Sequence, residues 1–172
     1  MYQIRRWLVW LSRIHRSGGF GIQSPTDYAF VRSVVNEHWP YYAYADWKDE
    51  HWLIQKLGRL YFRLANWRQP SCMLIDQFQK YWQAGSRNTR FVSSITKLEL
   101  GRVVIEDVDS SFELLDKCDE QSVLVVEGIY RDKKRWSALI NDMRIGTTFD
   151  LYYCGIVLFD KRPYKHHYTI NF

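Results

Sequence analysis

Apolar residues recur along the chain with two different periods, and the change of period divides it. Between Tyr2 and Arg16, Ile4, Leu8, Leu11 and His15 fall on one helical stripe, with Trp7 and Ile14 beside it. Gly18 and Gly19 follow, and glycine takes the left-handed conformation that stops a helix without steric cost. Ser24, Pro25 and Asp27 predict the next start: an N-cap acceptor, a proline at the first helical position, and Asp27 in the capping-box slot as a short stand-in for Glu. That helix should reach about Glu37, with Tyr28, Val31 and Val35 on one face and Phe30 and Val34 beside it; "HWPYYAY" then breaks it at Pro40. A third helix spans roughly 46–67, where Leu53, Leu57, Leu60 and Leu64 repeat at intervals of four, three and four, and Pro70 closes it.

After Pro70, short apolar runs alternate with helical ones. "SCMLID" (71–76), "RFVSS" (90–94), "RVVIEDV" (102–108) and "SVLVVEG" (122–128) read as strands buried on both faces. "QFQKYWQAG", "SSFELLDK" and "DKKRWSALINDMR" read as helices, and the alternation predicts parallel βα units. "TTFDLYYCGIVLFD" and "HHYTINF" are strand-like with no helix between them, so this pair, joined at "KRPYK", should be antiparallel. The expected fold class is α/β: a doubly wound, mostly parallel sheet ending in an antiparallel hairpin, preceded by an N-terminal helical cap. Without repeats or linkers, 1–172 reads as a single domain, with a helical extension at 1–69 and an α/β core at 70–172.

A chain of 172 residues is long enough to bury about two-thirds of its unfolded surface in one domain. Composition changes the picture in one respect, because aromatic residues reach 17%. They fit either a ring-rich core with amphipathic Trp and Tyr at its rim, or a surface for a partner or lipid. Cys72, Cys118 and Cys154 are far apart and odd in number, so they read as reduced, buried thiols of a cytoplasmic protein. No apolar run reaches the ~20 residues of a bilayer span, and "WLVWL" is shorter than a signal-peptide core of ~7–15 residues.

The net charge of +5 is uneven. No acid precedes Asp27, whereas Arg5, Arg6, Arg13 and Arg16 do; between Glu99 and Glu127, nine acids stand against Arg102 and Lys117. The basic end could seek an anionic membrane surface or nucleic acid, or the two regions could face each other within the fold or across a dimer. The first helix, with its arginines and two tryptophans, therefore fits either an interface or packing on the α/β core.

Other constellations are bland. Glu106, Asp107 and Asp109, with Glu127 near them in the expected sheet, could hold a divalent cation or do acid–base work. They equally form a solvated turn in which Asp109 caps "SSFELLDK". His166 and His167 should point to opposite faces of a strand, which argues against a shared metal. "RDKKRW" (131–136) fits the exposed first turn of a helix better than a nucleic-acid contact.

Several stretches carry a family resemblance. "GGFGIQSPTDYAFV" with "YYAY", then "KLGRLYFRLANWRQP" leading into a strand, and finally "SVLVVEGIY" and "TTFDLYYCGIVLFDKRPYKHHYTINF", resemble bacterial class I methyltransferase-like proteins. The resemblance implies a Rossmann-like domain binding S-adenosylmethionine (SAM) behind a helical extension, with a reversed last strand. It also implies a glycine-rich turn after the first strand, an acid ending the second, and acids ending the fifth. Here Asp76 runs instead into Gln77, Phe78, Gln79, Lys80, Tyr81 and Trp82, and the next glycine is Gly85. The second strand ends in Ser93 and Ser94, and the fifth in Glu127 and Gly128. Only seven residues, 95–101, separate the second strand from the next, where a crossover needs at least ~10–12.

The expectation is thus a degenerate methyltransferase-like protein that does not bind SAM and acts through protein association, with a partner or as a homo-oligomer. Any cofactor contacts would fall to Asp76, Ser94, Asp107 and Glu127. An active SAM-dependent methyltransferase with an atypical pocket is the alternative, and a peripheral membrane or nucleic-acid binder the next. No metal is expected.

Overall fold

The helices form where the apolar stripes place them, with shifted ends. The computed structural model describes residues 2–107 and 113–172. Helix α1 (Tyr2–Ser12) leads into a 3-10 segment, Ile14–Gly19, in which Gly18 and Gly19 take φ of 63° and 87°, as a glycine stop requires. Helix α2 (Pro25–Phe30) begins at Ser24, whose Oγ accepts from the Asp27 amide at 3.4 Å, and widens into a π turn over Val31–Val35. Phe30, Val31, Val34 and Val35 are buried, while Tyr28 is exposed. Residues 46 and 47 fall in a 3-10 segment, Tyr42–Trp47, and α3 (Trp52–Arg68) starts only where His51 Nδ1 accepts from the Leu53 amide at 3.4 Å. Leu57, Leu60 and Leu64 of its stripe are buried.

The remainder comprises β1 (Cys72–Leu74), α4 (Gln79–Gly85), β2 (Arg90–Val92), β3 (Leu98–Val104), β4 (Cys118–Glu127), α5 (Lys133–Ile140), β5 (Thr147–Asp150), β6 (Cys154–Leu158) and β7 (His166–Thr169). The architecture is mixed α/β with two sheets. One pairs β1 and β2 in parallel; the other runs β3-β4-β6-β5-β7, with β6 reversed among four strands of one direction. The sheets meet side by side: the Ser71 amide before β1 donates to Glu99 at the start of β3 at 3.2 Å, and Asp76 after β1 lies 3.8 Å from Arg102 farther along β3. Alternation along β4 sends Val123 and Val125 into an apolar cluster with α3, α4 and Phe149, and Leu124 and Val126 into a second with Trp136 and Leu139 of α5.

Three strand expectations are corrected. β3 starts at Leu98, because pairing with β4 (Leu98 opposite Cys118) recruits "LELG", and so only residues 93–97 link β2 to β3. β2 is an edge strand and is not buried on both faces. The antiparallel hairpin is not "TTFDLYYCGIVLFD" against "HHYTINF". The first segment itself folds back at Tyr152, which has φ of 72°, to make the β5–β6 hairpin, and β7 then joins β5 in parallel. The reversed strand is therefore inside the sheet, between β4 and β5.

Candidate functional site

Strand ends bring two of the four predicted contact residues together. Arg102 reaches from β3 between Asp76, just past β1, and Glu127, the last residue of β4. Its Nε donates to Glu127 Oε2 at 2.6 Å, and Nη1 lies 3.8 Å from Asp76 Oδ2. Tyr61 of α3 donates to the same Glu127 oxygen at 2.9 Å. Asp76 accepts from the Phe78 amide at 2.7 Å and from the Trp82 indole at 3.3 Å. Burial pushes the Asp76 carboxyl above its ordinary range, against the opposing pull of the Phe78 amide, Arg102 and Trp82. Burial likewise drives the Tyr61 phenol well up.

Aromatic rings fill the space around this ion cluster. Phe78, Tyr81 and Trp82 are 6%, 1% and 0% exposed. Tyr61 stacks on Trp82 with ring centres 4.4 Å apart and meets Phe78 edge-on at 5.0 Å, while the Arg102 guanidinium lies 4.6 Å over the Phe78 ring. Tyr81 is pinned behind by its hydroxyl, which donates to Glu50, and its ring occupies the space that a side chain at Gly58 would need. The bulky residues after Asp76 thus form a plug against α3. Among the described residues, cavities of about 400, 610, 750 and 890 Å³ are lined by residues other than Phe78, Tyr81 and Trp82.

The other two predicted residues do not share this environment. Ser94 is exposed on the link after β2, and Asp107 is exposed in the 3-10 turn after β3. In that turn Glu106 accepts from Arg131 at 3.1 Å, and its backbone carbonyl from Arg135 at 2.6 Å, so "RDKKRW" is bound up in starting α5, with Trp136 buried. Asp109 lies outside the described residues. Among the described residues no three His, Cys, Asp or Glu side chains converge as a metal site. Of the thiols only Cys154 is fully buried; Cys72 and Cys118 are half-buried, and all three are free.

Asp27 departs from its expected role. Its carboxylate does not cap the helix but sits 2% exposed in an ion cluster. Arg162 donates to it at 2.5 and 2.8 Å, Tyr168 donates at 3.0 Å, and His166 Nδ1 lies at 3.1 Å. Burial pushes the Asp27 carboxyl up, but these hydrogen bonds outweigh burial and hold it below its usual range. Alternation along β7 puts His166 and Tyr168 on the face toward Asp27, and turns His167 to Thr148 Oγ1 at 2.7 Å, so the histidines do diverge. The pattern "HHY" carried half of this signal; nothing local pointed to Asp27.

The basic N-terminus also finds a different neighbour. Arg13 donates to Asp150 Oδ1 at 2.9 Å, at the end of β5, and not to the acid-rich 99–127 segment. Arg5 and Arg6 lie within α1, and Arg16 is exposed. The stripe of α1 does not pack inward: Ile4, Trp7, Leu8 and Leu11 are 67%, 62%, 60% and 53% exposed. Among the described residues no helix is long and apolar enough to cross a membrane. No protein-family model, curated protein or solved structure matches the chain.

Proposed function

We propose that the protein is a degenerate, Rossmann-like methyltransferase relative that has lost SAM binding and works by associating with other protein surfaces. One observation carries the reading: the end of β1, where the resemblance calls for a glycine turn beneath a cofactor, is packed with Phe78, Tyr81 and Trp82 over the Arg102 ion cluster. A glycine turn lets backbone approach a ligand; three buried rings leave the ligand no room. The single reversed strand among parallel ones supports the methyltransferase-like ancestry. The exposed apolar stripe of α1 supports association and supplies its surface.

Thermal-shift titration with SAM and with its demethylated product tests the first half. A ligand at 100 times Kd adds about 2.7 kcal/mol, so a dose-dependent rise in Tm contradicts the proposal and restores the enzyme reading. Light scattering tests the second half: the native chain should self-associate or capture a protein partner through α1. Binding to anionic vesicles instead, lost at high salt, would favour the peripheral-membrane reading.

A further inference from the structure

A surface helix ordinarily turns its apolar stripe to the core and its polar side to water. Helix α1 is mounted the other way round. Ile4, Trp7, Leu8, Trp10 and Leu11 are 42–67% exposed, and helical spacing gathers them into one arc of about 160°. Ile14, just beyond the helix, is 46% exposed. The side toward the protein carries a cation instead. Arg13, the residue after α1, donates from Nη1 to Asp150 Oδ1 at 2.9 Å, to the Asp150 carbonyl at 3.0 Å and to the Ile170 carbonyl at 3.4 Å. Its guanidinium lies 5.3 Å over the Tyr152 ring. Asn171 closes the root: its amide donates to the Arg16 carbonyl and its side chain to Ser17 Oγ, each at 3.1 Å. These bonds tie the end of α1 to the ends of β5 and β7, so the fold itself holds the arc outward.

The arc is large for a free surface. At roughly 150–250 Å² for a large apolar side chain, the six exposed fractions amount to about 600 Å² per copy, the upper end of the about 300–600 Å² found as the largest patch on monomers. Two such arcs face to face bury about 1,200 Å², which reaches the about 1,200–2,000 Å² of stable, specific interfaces. The arc residues are uncharged, and Arg13, a cation that an anionic headgroup layer would use, is engaged by Asp150. Area, not charge, is therefore what the surface offers. Charge sets the direction of pairing. No acid precedes Asp27, so parallel helices would place the Arg5–Arg6 positions of two copies side by side. Antiparallel about the middle of α1, those positions stand about 10 Å apart along the helix axis, beyond the screening length of about 8 Å at physiological salt.

We propose that α1 is the two-fold interface of a homodimer, in which two copies pack their outward arcs antiparallel with Leu8 and Leu11 at the centre. The inference rests on the reading of α1 as an association surface and names its partner as a second copy of this chain. Sedimentation equilibrium of the full chain at micromolar concentration should show a two-copy species that dissociates on dilution and survives higher salt. Leu8→Glu with Leu11→Glu should leave one copy at every concentration, with the far-ultraviolet spectrum unchanged. Should that variant unfold, Trp7→Ala, which shortens an exposed ring without adding charge, should weaken the dimer by about tenfold or more. A native chain that stays single, or a dimer that the folded variant forms equally well, overturns the proposal. Co-sedimentation of the native chain with phosphatidylserine vesicles then tells the readings apart. A single chain that binds them contradicts protein association as well; a single chain that does not leaves association, with a different protein, standing.

Discussion

The end of β1 and the cavity beside α3 are built from the same materials and behave oppositely. Each places an arginine over an aromatic ring: Arg102 over Phe78 at 4.6 Å, and Arg59 over Tyr44 at 5.0 Å. At the first, two carboxylates, a phenol and an indole complete the arginine's surroundings, and the rings fill the volume. At the second, the rings stand apart as walls and the arginine keeps a buried donor without an acceptor. A cluster of aromatic and charged residues is therefore not in itself a site. Open volume is left beside α3, and none is left among the buried rings at the end of β1.

The comparison breaks most severely if the plug is removable. Trp82→Ala deletes a fully buried ring stacked on Tyr61, and urea denaturation should show a loss of about 3–5 kcal/mol. A small loss would mean that the rings are loosely held and that the β1 end can open.

The ion clusters sharpen it next, through pH. Asp27 is held below its ordinary 3.8, so its stabilisation is complete above that value and is lost as pH falls through the lower folded pKa. Asp76 is raised, so its contribution runs the other way: stability falls as pH climbs from 3.8 through the raised pKa. Asp27→Asn should cost roughly 3 kcal/mol at neutral pH, since it leaves Arg162 without its buried partner, and should flatten the acid limb. Asp76→Asn should flatten the opposing slope. Stability measured from pH 2 to 7 in both variants separates the two; identical pH curves would contradict the assignment.

Gly58→Ala tests the packing from the helix side. A methyl group there collides with the Tyr81 ring, and overpacking of this kind costs about 1–3 kcal/mol. A stabilised variant, as an ordinary mid-helix glycine would give, would show that Tyr81 is free to move. The smallest thermodynamic effect belongs to α1: Leu8→Glu with Leu11→Glu on its exposed stripe should change stability by no more than about 0.5 kcal/mol per site and should abolish the proposed association, with light scattering as the readout.

Much of this was legible from local pattern. The leucine stripe of α3, the glycines after α1, the Ser24–Pro25 start and the bulky run after Asp76 all act over a few residues, and the structure realises each. What escaped depends on distant partners. "LELG" becomes strand because β4 pairs with it. The β5–β6 fold-back lacks a glycine or proline; Tyr152 holds its left-handed backbone while its amide donates to Asp150 Oδ1 at 2.8 Å and its ring stacks on Tyr130 at 5.2 Å. Asp27 looked like a capping residue because its partners, Arg162, His166 and Tyr168, lie more than a hundred residues away.

Amide hydrogen exchange over residues 76–86, with and without millimolar SAM, addresses the plug most directly. The Tyr81, Trp82 and Ser86 amides donate within α4 and its entry, to Phe78, Phe78 and Trp82 carbonyls. As part of the core they should exchange as slowly as Val123–Val126 of β4, and SAM should alter none of them. Fast exchange through local opening, or selective slowing by SAM, would contradict a closed and cofactor-free β1 end.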